Sequence, residues 1–318
     1  MAKLTILVAT WGDGLFALTG ETRKQEIAGQ LVRGLAPDGH GGALAIVGGH
    51  ALRRRAPNGE WTPVATSEWE LACCMVAGGE IYVGTEDARM LRLSKDAGLE
   101  PLESFDNVAG RETWYAGSAI INGQRVGPPL GIRSLAADTA GTFLFANVHV
   151  GGIPRSFDSG KTWQPTIDIH SDVHEVRVHP ADPRIVVAAA AVGLCISRDY
   201  GETWSVEKDG MHAPYCSAVA LSGDDILVSA STDHFASTGR IYRCSIKSCP
   251  INSGGVLEAV DNGLPWTEGI ADTGCIATDG SNIAVVDKSG TLYLSADFGH
   301  TWSCDHKDLP TPSGVLIC

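Results

Sequence analysis

The 318-residue chain carries 24 Lys and Arg against 37 Asp and Glu, a formal net charge of −13. This acidity speaks against nucleic acid or an anionic membrane as partner, since either favours a basic face. With 44% apolar residues, 38 glycines and only four methionines, the composition suits many short strands joined by tight turns, and no stretch approaches the roughly 20 consecutive apolar residues of a membrane span.

Nine cysteines is an odd count, so they cannot all pair within one chain. The start of the sequence has a strand-length apolar run but no signal-like hydrophobic region. The thiols are therefore expected to be reduced and the chain cytoplasmic.

In chain order, residues 4–29 offer three strands. Residues 33–66 read as a four-stranded unit that ends in Asn58-Gly59-Glu60-Trp61, and residues 71–105 as another, whose last hairpin is Ser94-Lys95-Asp96-Ala97-Gly98. Residues 106–132 form a long insertion that contains Trp114, Tyr115, Asn122-Gly123 and Pro128-Pro129. Residues 216–265 supply four strands, near 217–221, 226–230, 240–244 and 256–260, with a lengthened loop at 232–239. The last residues, 313–318, offer one strand after Pro310.

Three segments align without gaps: Ser156-x-Asp158-x-Gly160-x-Thr162-Trp163, Ser197-x-Asp199-x-Gly201-x-Thr203-Trp204 and Ser295-x-Asp297-x-Gly299-x-Thr301-Trp302. Each residue type has a mechanical reason: the Asp can bond the backbone of a tight hairpin, the Gly takes positive φ, and the Trp covers the turn with apolar surface. The pattern resembles the Asp-box of sialidases, xyloglucanases and related propellers. The resemblance implies that each box joins the third and fourth strands of a blade, on the rim opposite the active face, and it assigns the box residues no chemistry.

The spacing then counts the blades. Asp158 to Asp199 is 41 residues, one four-stranded blade, and Asp199 to Asp297 is 98, room for two. With the units already read, and a first blade completed from both termini, the sequence predicts an all-β, seven-bladed β-propeller over residues 1–318 as a single domain, closed by pairing of the N- and C-terminal strands. The insertion 106–132 and the loop 232–239 fall on the face opposite the boxes.

In this topology the inner strands begin at Arg33, Glu68-Trp69-Glu70, Arg133, His170-x-Asp172-x-His174, His212-x-x-Tyr215-Cys216 and Asp272-x-x-Cys275, with Trp11, His50, Glu86-Asp87, His149 and Asp233-His234 on loops of the same face. Seven of the ten histidines (His50, His149, His170, His174, His212, His234 and His306) are assigned to it. In an extended chain His170, Asp172 and His174 point to one side, a spacing compatible with one divalent metal ion; His149 or Cys216 could complete the set. The alternatives are structural histidines or acid–base groups, with His174 and His149 as the candidates.

Cys216 and Cys275 could act as nucleophiles beside histidine or be small buried hydrophobes. Tyr215 and Asp272 complete the catalytic candidates. Arg33 and Arg133 occupy matching positions, which suits either an anion clamp or a blade-to-blade salt bridge. Trp11, Trp69, Trp114, Tyr115, His212 and Trp266 could contact a ligand or pack at blade interfaces, and Glu70, Asp87, Asp172, Asp233 and Asp272 are the carboxylates available for glycosidase-type chemistry.

A true sialidase is disfavoured. The Phe/Tyr-Arg-Ile-Pro motif of those enzymes is missing, and the nearest string, Gly152-Ile153-Pro154-Arg155, has the wrong order and runs into a box. The expectation is an enzyme of hydrolase or lyase type acting on a small polar or anionic molecule at the central funnel. The alternative is a non-catalytic propeller that binds a protein partner or assembly intermediate, as the photosystem-assembly propellers with similar boxes do.

Overall fold

The computed structural model describes residues 4–95, 98–247 and 256–318. Its sheets form a seven-bladed β-propeller of antiparallel, four-stranded blades. Both chain ends build blade 1: the C-terminal strand Pro312–Ile317 is innermost, and Ile6–Thr10, Gly14–Thr19 and Thr22–Ala28 follow outward. Val8 faces Val315 in this closure, and the pairing removes the open edge that three strands alone would leave.

The other inner strands are Val32–Pro37, Leu71–Ala77, Gly131–Ala137, Val173–Val178, Tyr215–Ser222 and Ile276–Asp279, opening blades 2 to 7. Blade 4 is the least regular, its fourth strand reduced to a bridge between Arg155 and Gln164. In blade 6 the outer strand is Glu258–Ala259, at the position expected from sequence.

The second strands show why the repeat is so apolar. Ala43–Val47 and Val186–Ala190 are buried at every residue, because each lies mid-sheet with a neighbouring blade on either face. Small Ala and branched Val fill that narrow space at native density. Among the described residues no helix is long and apolar enough to cross a membrane.

The three repeated turns show the geometry their residue types require. Asp158 Oδ1 accepts from the Thr162 amide at 2.8 Å and its Oδ2 from the Thr162 hydroxyl at 2.7 Å, while Trp163 Nε1 donates to the Gly160 carbonyl at 3.2 Å. Asp199 and Asp297 repeat the pattern. Two successive residues in each turn take positive φ, Ser159-Gly160, Tyr200-Gly201 and Phe298-Gly299. That pair is what a tight hairpin needs to match strand twist. The degenerate turn in blade 3 keeps the Ser94 amide to Gly98 carbonyl bond at 2.8 Å; its Asp96 lies outside the described residues.

One sequence expectation is corrected: Cys244 is disulfide-bonded, so the thiols are not all reduced. Cys249 lies outside the described residues.

Candidate functional site

Six of the seven blades, all but blade 7, carry the same irregularity. The inner strand gains one residue against its partner near its start, in blade 1 between Pro312 and Gly314 and in blades 2 to 6 between Arg33 and Ala36, Leu71 and Cys73, Ile132 and Ser134, Val173 and Glu175, and Cys216 and Ala218. Such a β-bulge re-aims side chains and breaks strict alternation. In blades 4 and 5 the extra residues are Arg133 and His174, and both line the axial cavity, a space of about 1060 Å³.

His174 is buried and its orientation is set from the neighbouring blade, with Nδ1 2.6 Å from the Cys216 carbonyl oxygen. A carbonyl only accepts, so Nδ1 carries the proton and Nε2 presents a lone pair. That lone pair has no hydrogen-bond partner, and the Asp172 carboxylate lies 3.8 Å from it. His149, from the second strand of blade 4, brings Nε2 to 2.9 Å from Asp172 Oδ1 without hydrogen-bond alignment. The two imidazoles are nearly parallel, with ring centroids 5.5 Å apart.

Burial pulls the His174 pKa down, against the opposing pull of the Cys216 carbonyl and the Asp172 charge, so the ring is neutral near pH 7. Burial pushes Asp172 up, but contact with His149 and the attraction of the neighbouring imidazoles in the acid range where a carboxyl titrates outweigh it and hold the carboxyl below its ordinary value. Tyr215 packs on His174 with ring centroids 4.8 Å apart, and burial together with the Asp172 and Asp272 carboxylates raises its phenol, which stays protonated.

His170 does not join this group. Residues Ile169–Ser171 form a 3₁₀ turn and Asp172 caps it in the left-handed region at φ 50°, so the segment is not the extended strand that the even spacing suggested. The turn rotates His170 into solvent while the bulge brings His174 inward.

Arg33 and Arg133 converge on one carboxylate. Arg33 pairs with Glu86 and lies 3.3 Å from Glu70; Arg133 lies 3.2 Å from Glu86 and donates to the Pro129 carbonyl. Burial lowers the Arg133 pKa, with Glu86 opposing. Of the two sequence readings, the geometry is that of a blade-to-blade salt bridge, in which two buried arginines are balanced by Glu86 and the more exposed Glu70 because charges removed from water need partners.

Trp11, Glu70, Tyr215, Asp272 and Cys275 also line the cavity. Other candidates do not reach it. Trp114 is buried against Phe105, Tyr115 is tied by its backbone to Val150, and Trp69 packs in the core beside Arg89. His212 stacks on Tyr242 and meets Trp266 edge-on, and neither His212 nor Trp266 lines the cavity. Cys216 contributes its carbonyl, while its thiol is buried towards Met211 and burial raises its pKa, as it does for Cys275. His50 bonds the Ser67 and Trp69 carbonyls, and His306 sits in the outer strand of blade 7.

Several lining residues escaped sequence reasoning. Glu175 is fully buried and accepts from the amides of Val219 at 2.9 Å and Gly274 at 3.3 Å while pairing with Arg177. Strand alternation places Glu175 opposite His174; the bulge lets both line the cavity. Gly117, Ile121 and Val126 come from the insertion, whose hairpin Ala119–Ile121 and Gln124–Val126 turns at Asn122-Gly123 and covers the cavity. A Cβ at Gly117 would come within 2.1 Å of the His149 ring, so only glycine permits that closeness. Lys288 and Phe235 complete the mouth.

No protein-family model matches the chain, and no curated protein matches its sequence. Solved structures are similar to it in fold. An ancestral GH74 enzyme superposes with a TM-score of 0.62 at 13% identity over 100% of this chain and 40% of its own length. YCF48 bound to D1 peptide gives 0.58 at 13% identity over 96% of this chain and 86% of its own. The GH74 xyloglucanase from Xanthomonas campestris gives 0.55 at 14% identity, over 86% and 44%. Against the two GH74 chains this chain spans less than half of their length, and at such identities the likeness is one of fold.

Proposed function

We propose that this chain is an enzyme of hydrolase or lyase type, built on an Asp-box propeller, that takes a small polar molecule into the axial cavity and reacts it at the His149–Asp172–His174 triangle. The observation that carries the reading is the buried, unpartnered Nε2 of His174, set beside an ionised carboxylate in a covered cavity of about 1060 Å³. Protein interiors pair their polar atoms, and unpaired ones cluster where a ligand or reaction supplies the partner. In this reading Tyr215 donates a proton or hydrogen bond to the substrate, the insertion hairpin excludes water, and the Arg33–Glu86–Arg133 bridge keeps the wall rigid. Because those arginines are already paired, a neutral polar ligand, or an anion that meets a cation elsewhere in the cavity, fits better than a bare anion clamp.

A second reading is favoured by the apolar rim. Phe235 is 75% exposed and Ile120 68%, and Trp11, Ile121 and Val126 stand near them, which suits a peptide or protein partner docking at the mouth. The fold likeness to YCF48 bound to D1 peptide is compatible with it.

A library of small polyols, hydroxy acids, sugars and phosphate esters, screened by thermal shift and followed by mass spectrometry for turnover, tests the first reading. One chemical class should stabilise the protein and be converted, with conversion lost in His174→Asn and reduced in Tyr215→Phe. Binding at the mouth that Phe235→Ser abolishes, with no small molecule held in the cavity, would favour the scaffold instead.

A further inference from the structure

The triangle gathers in one buried space the unpartnered Nε2 of His174, the Asp172 carboxylate and the Nε2 of His149, a set of potential donor atoms beyond what acid–base work alone requires. His174 Nδ1–H is committed to the Cys216 carbonyl, so Nε2 can only accept. Asp172 is a carboxylate, accepting only, and it pairs with the two histidines and with no Lys or Arg among the described residues. One ligand atom from each of His149, Asp172 and His174 lies within 4.8 Å of the other two. Acceptors gathered in a buried space repel unless a cation lies between them.

Two of the three separations approach those that such an ion imposes, and side-chain rotation would draw the third in. Metal–nitrogen and metal–oxygen bonds of about 2.0–2.2 Å place neighbouring ligand atoms about 2.9–3.5 Å apart in octahedral or tetrahedral arrangements. His149 Nε2 lies 2.9 Å from Asp172 Oδ1 and His174 Nε2 3.8 Å from Oδ2, the second within a small side-chain rotation of that range. The 2.9 Å contact is also out of line for a hydrogen bond, as expected for two ligands that point at a shared third atom. The Cys216 carbonyl supplies the outer bond that fixes tautomer and ring orientation in metal-binding histidines.

We infer that His149 Nε2, an Asp172 carboxylate oxygen and His174 Nε2 together hold one first-row divalent transition-metal ion, with its remaining positions open to the axial cavity. Two imidazoles and one carboxylate are the donor set that such ions take when positions are kept for water or substrate oxygen. The ion also answers the charge of the wall: four cationic side chains (Arg33, Arg133, Arg177, Lys288) stand there against five carboxylates (Glu70, Glu86, Asp172, Glu175, Asp272). A divalent charge at the triangle turns this slight negative balance positive and gives an anionic substrate group somewhere to bind. The inference deepens the enzymatic reading, since it concerns the same triangle, but the two can fail separately.

The full chain, stripped with chelator and dialysed, is titrated with Co²⁺ and Zn²⁺ by calorimetry, with Co²⁺ also followed by its visible absorption. One equivalent of each ion should bind. Asp172→Asn keeps the left-handed φ that Asn tolerates and should weaken binding by at least about 100-fold, as should His174→Ala. His170→Ala, altering an exposed neighbour outside the triangle, should leave affinity within about twofold, which separates the site from general surface binding. Fewer than about 0.2 equivalents bound by the folded wild type, or affinity unchanged in both Asp172→Asn and His174→Ala, overturns the inference. That result leaves the small-molecule screen free to support the enzymatic reading on acid–base chemistry. Stoichiometric metal with no small-molecule ligand would sink the enzymatic reading alone.

Discussion

His174 Nδ1 lies 2.6 Å from the carbonyl oxygen of Cys216, so the backbone of blade 6 sets the ring and tautomer of a histidine that blade 5 supplies. His149 comes from blade 4, which makes the triangle a product of three successive blades. A site built in this way depends on blade packing more than on any local motif.

The insertion should tune the site without carrying the fold. Gly117→Ala puts a methyl within 2.1 Å of the His149 ring, so either the ring or the insertion must move. Expected is at least a tenfold loss of Co²⁺ affinity, on the order seen when orienting groups are disturbed. The urea-unfolding free energy should change by less than about 1 kcal/mol, since Gly117 itself is exposed and lies apart from the Val108 and Trp114 positions that pack in the core.

Glu175 should matter for stability whatever the chemistry. Its carboxylate joins the inner strand of blade 5 to the Val219 amide of blade 6 and the Gly274 amide before blade 7. Glu175→Ala leaves those amides and Arg177 without their acceptor, a loss of about 3–5 kcal/mol in denaturant titration. Glu175→Gln, which retains one acceptor oxygen, should lose less.

The three turn tryptophans should not be equivalent. Trp163 is buried and meets Phe105 edge-on at 5.0 Å, whereas Trp204 is only half-buried. Trp163→Ala should cost about 3–5 kcal/mol and Trp204→Ala clearly less, measured under the same conditions.

Acid sensitivity should trace partly to the same turns. The Thr301 hydroxyl, helped by the Thr301 amide, lowers Asp297 from 3.8 to about 2. The unfolded chain therefore binds more protons in that window, so the stabilisation is present in full above the unfolded value and is lost as pH falls through the folded one. The melting-temperature gap between wild type and Asp297→Ala should be widest above pH 5 and narrow steadily towards pH 2.

Thiol labelling should separate surface from interior cysteines. Cys304 and Cys318 are exposed, while burial pushes Cys73 and Cys195 up to about 12 and raises Cys216 and Cys275 as well. At pH 8 the buried group should react with iodoacetamide slower than Cys304 by a factor on the order of 10³, read by peptide mapping. Rapid labelling of Cys216 or Cys275 would reopen the nucleophile reading.

What the amino-acid sequence determined by itself was the ring. The Ser-x-Asp-x-Gly-x-Thr-Trp turns close through bonds between residues two to four apart, as in Asp158 to Thr162, so their residue types announce them. Their spacing counts the blades, and the leftover strands at either end predict the closure between Ile6–Thr10 and Pro312–Ile317. The centre of the ring was decided by tertiary structure. His170, Asp172 and His174 share a spacing that promised one side of a strand, but a 3₁₀ turn and a one-residue bulge sorted them, turning His170 out and His174 in. Glu86 between Arg33 and Arg133, and Gly117 against His149, are contacts across 53, 47 and 32 positions of chain. No periodicity encodes such contacts, because they arise only when separate blades, each folded on its own local rules, are packed around one axis.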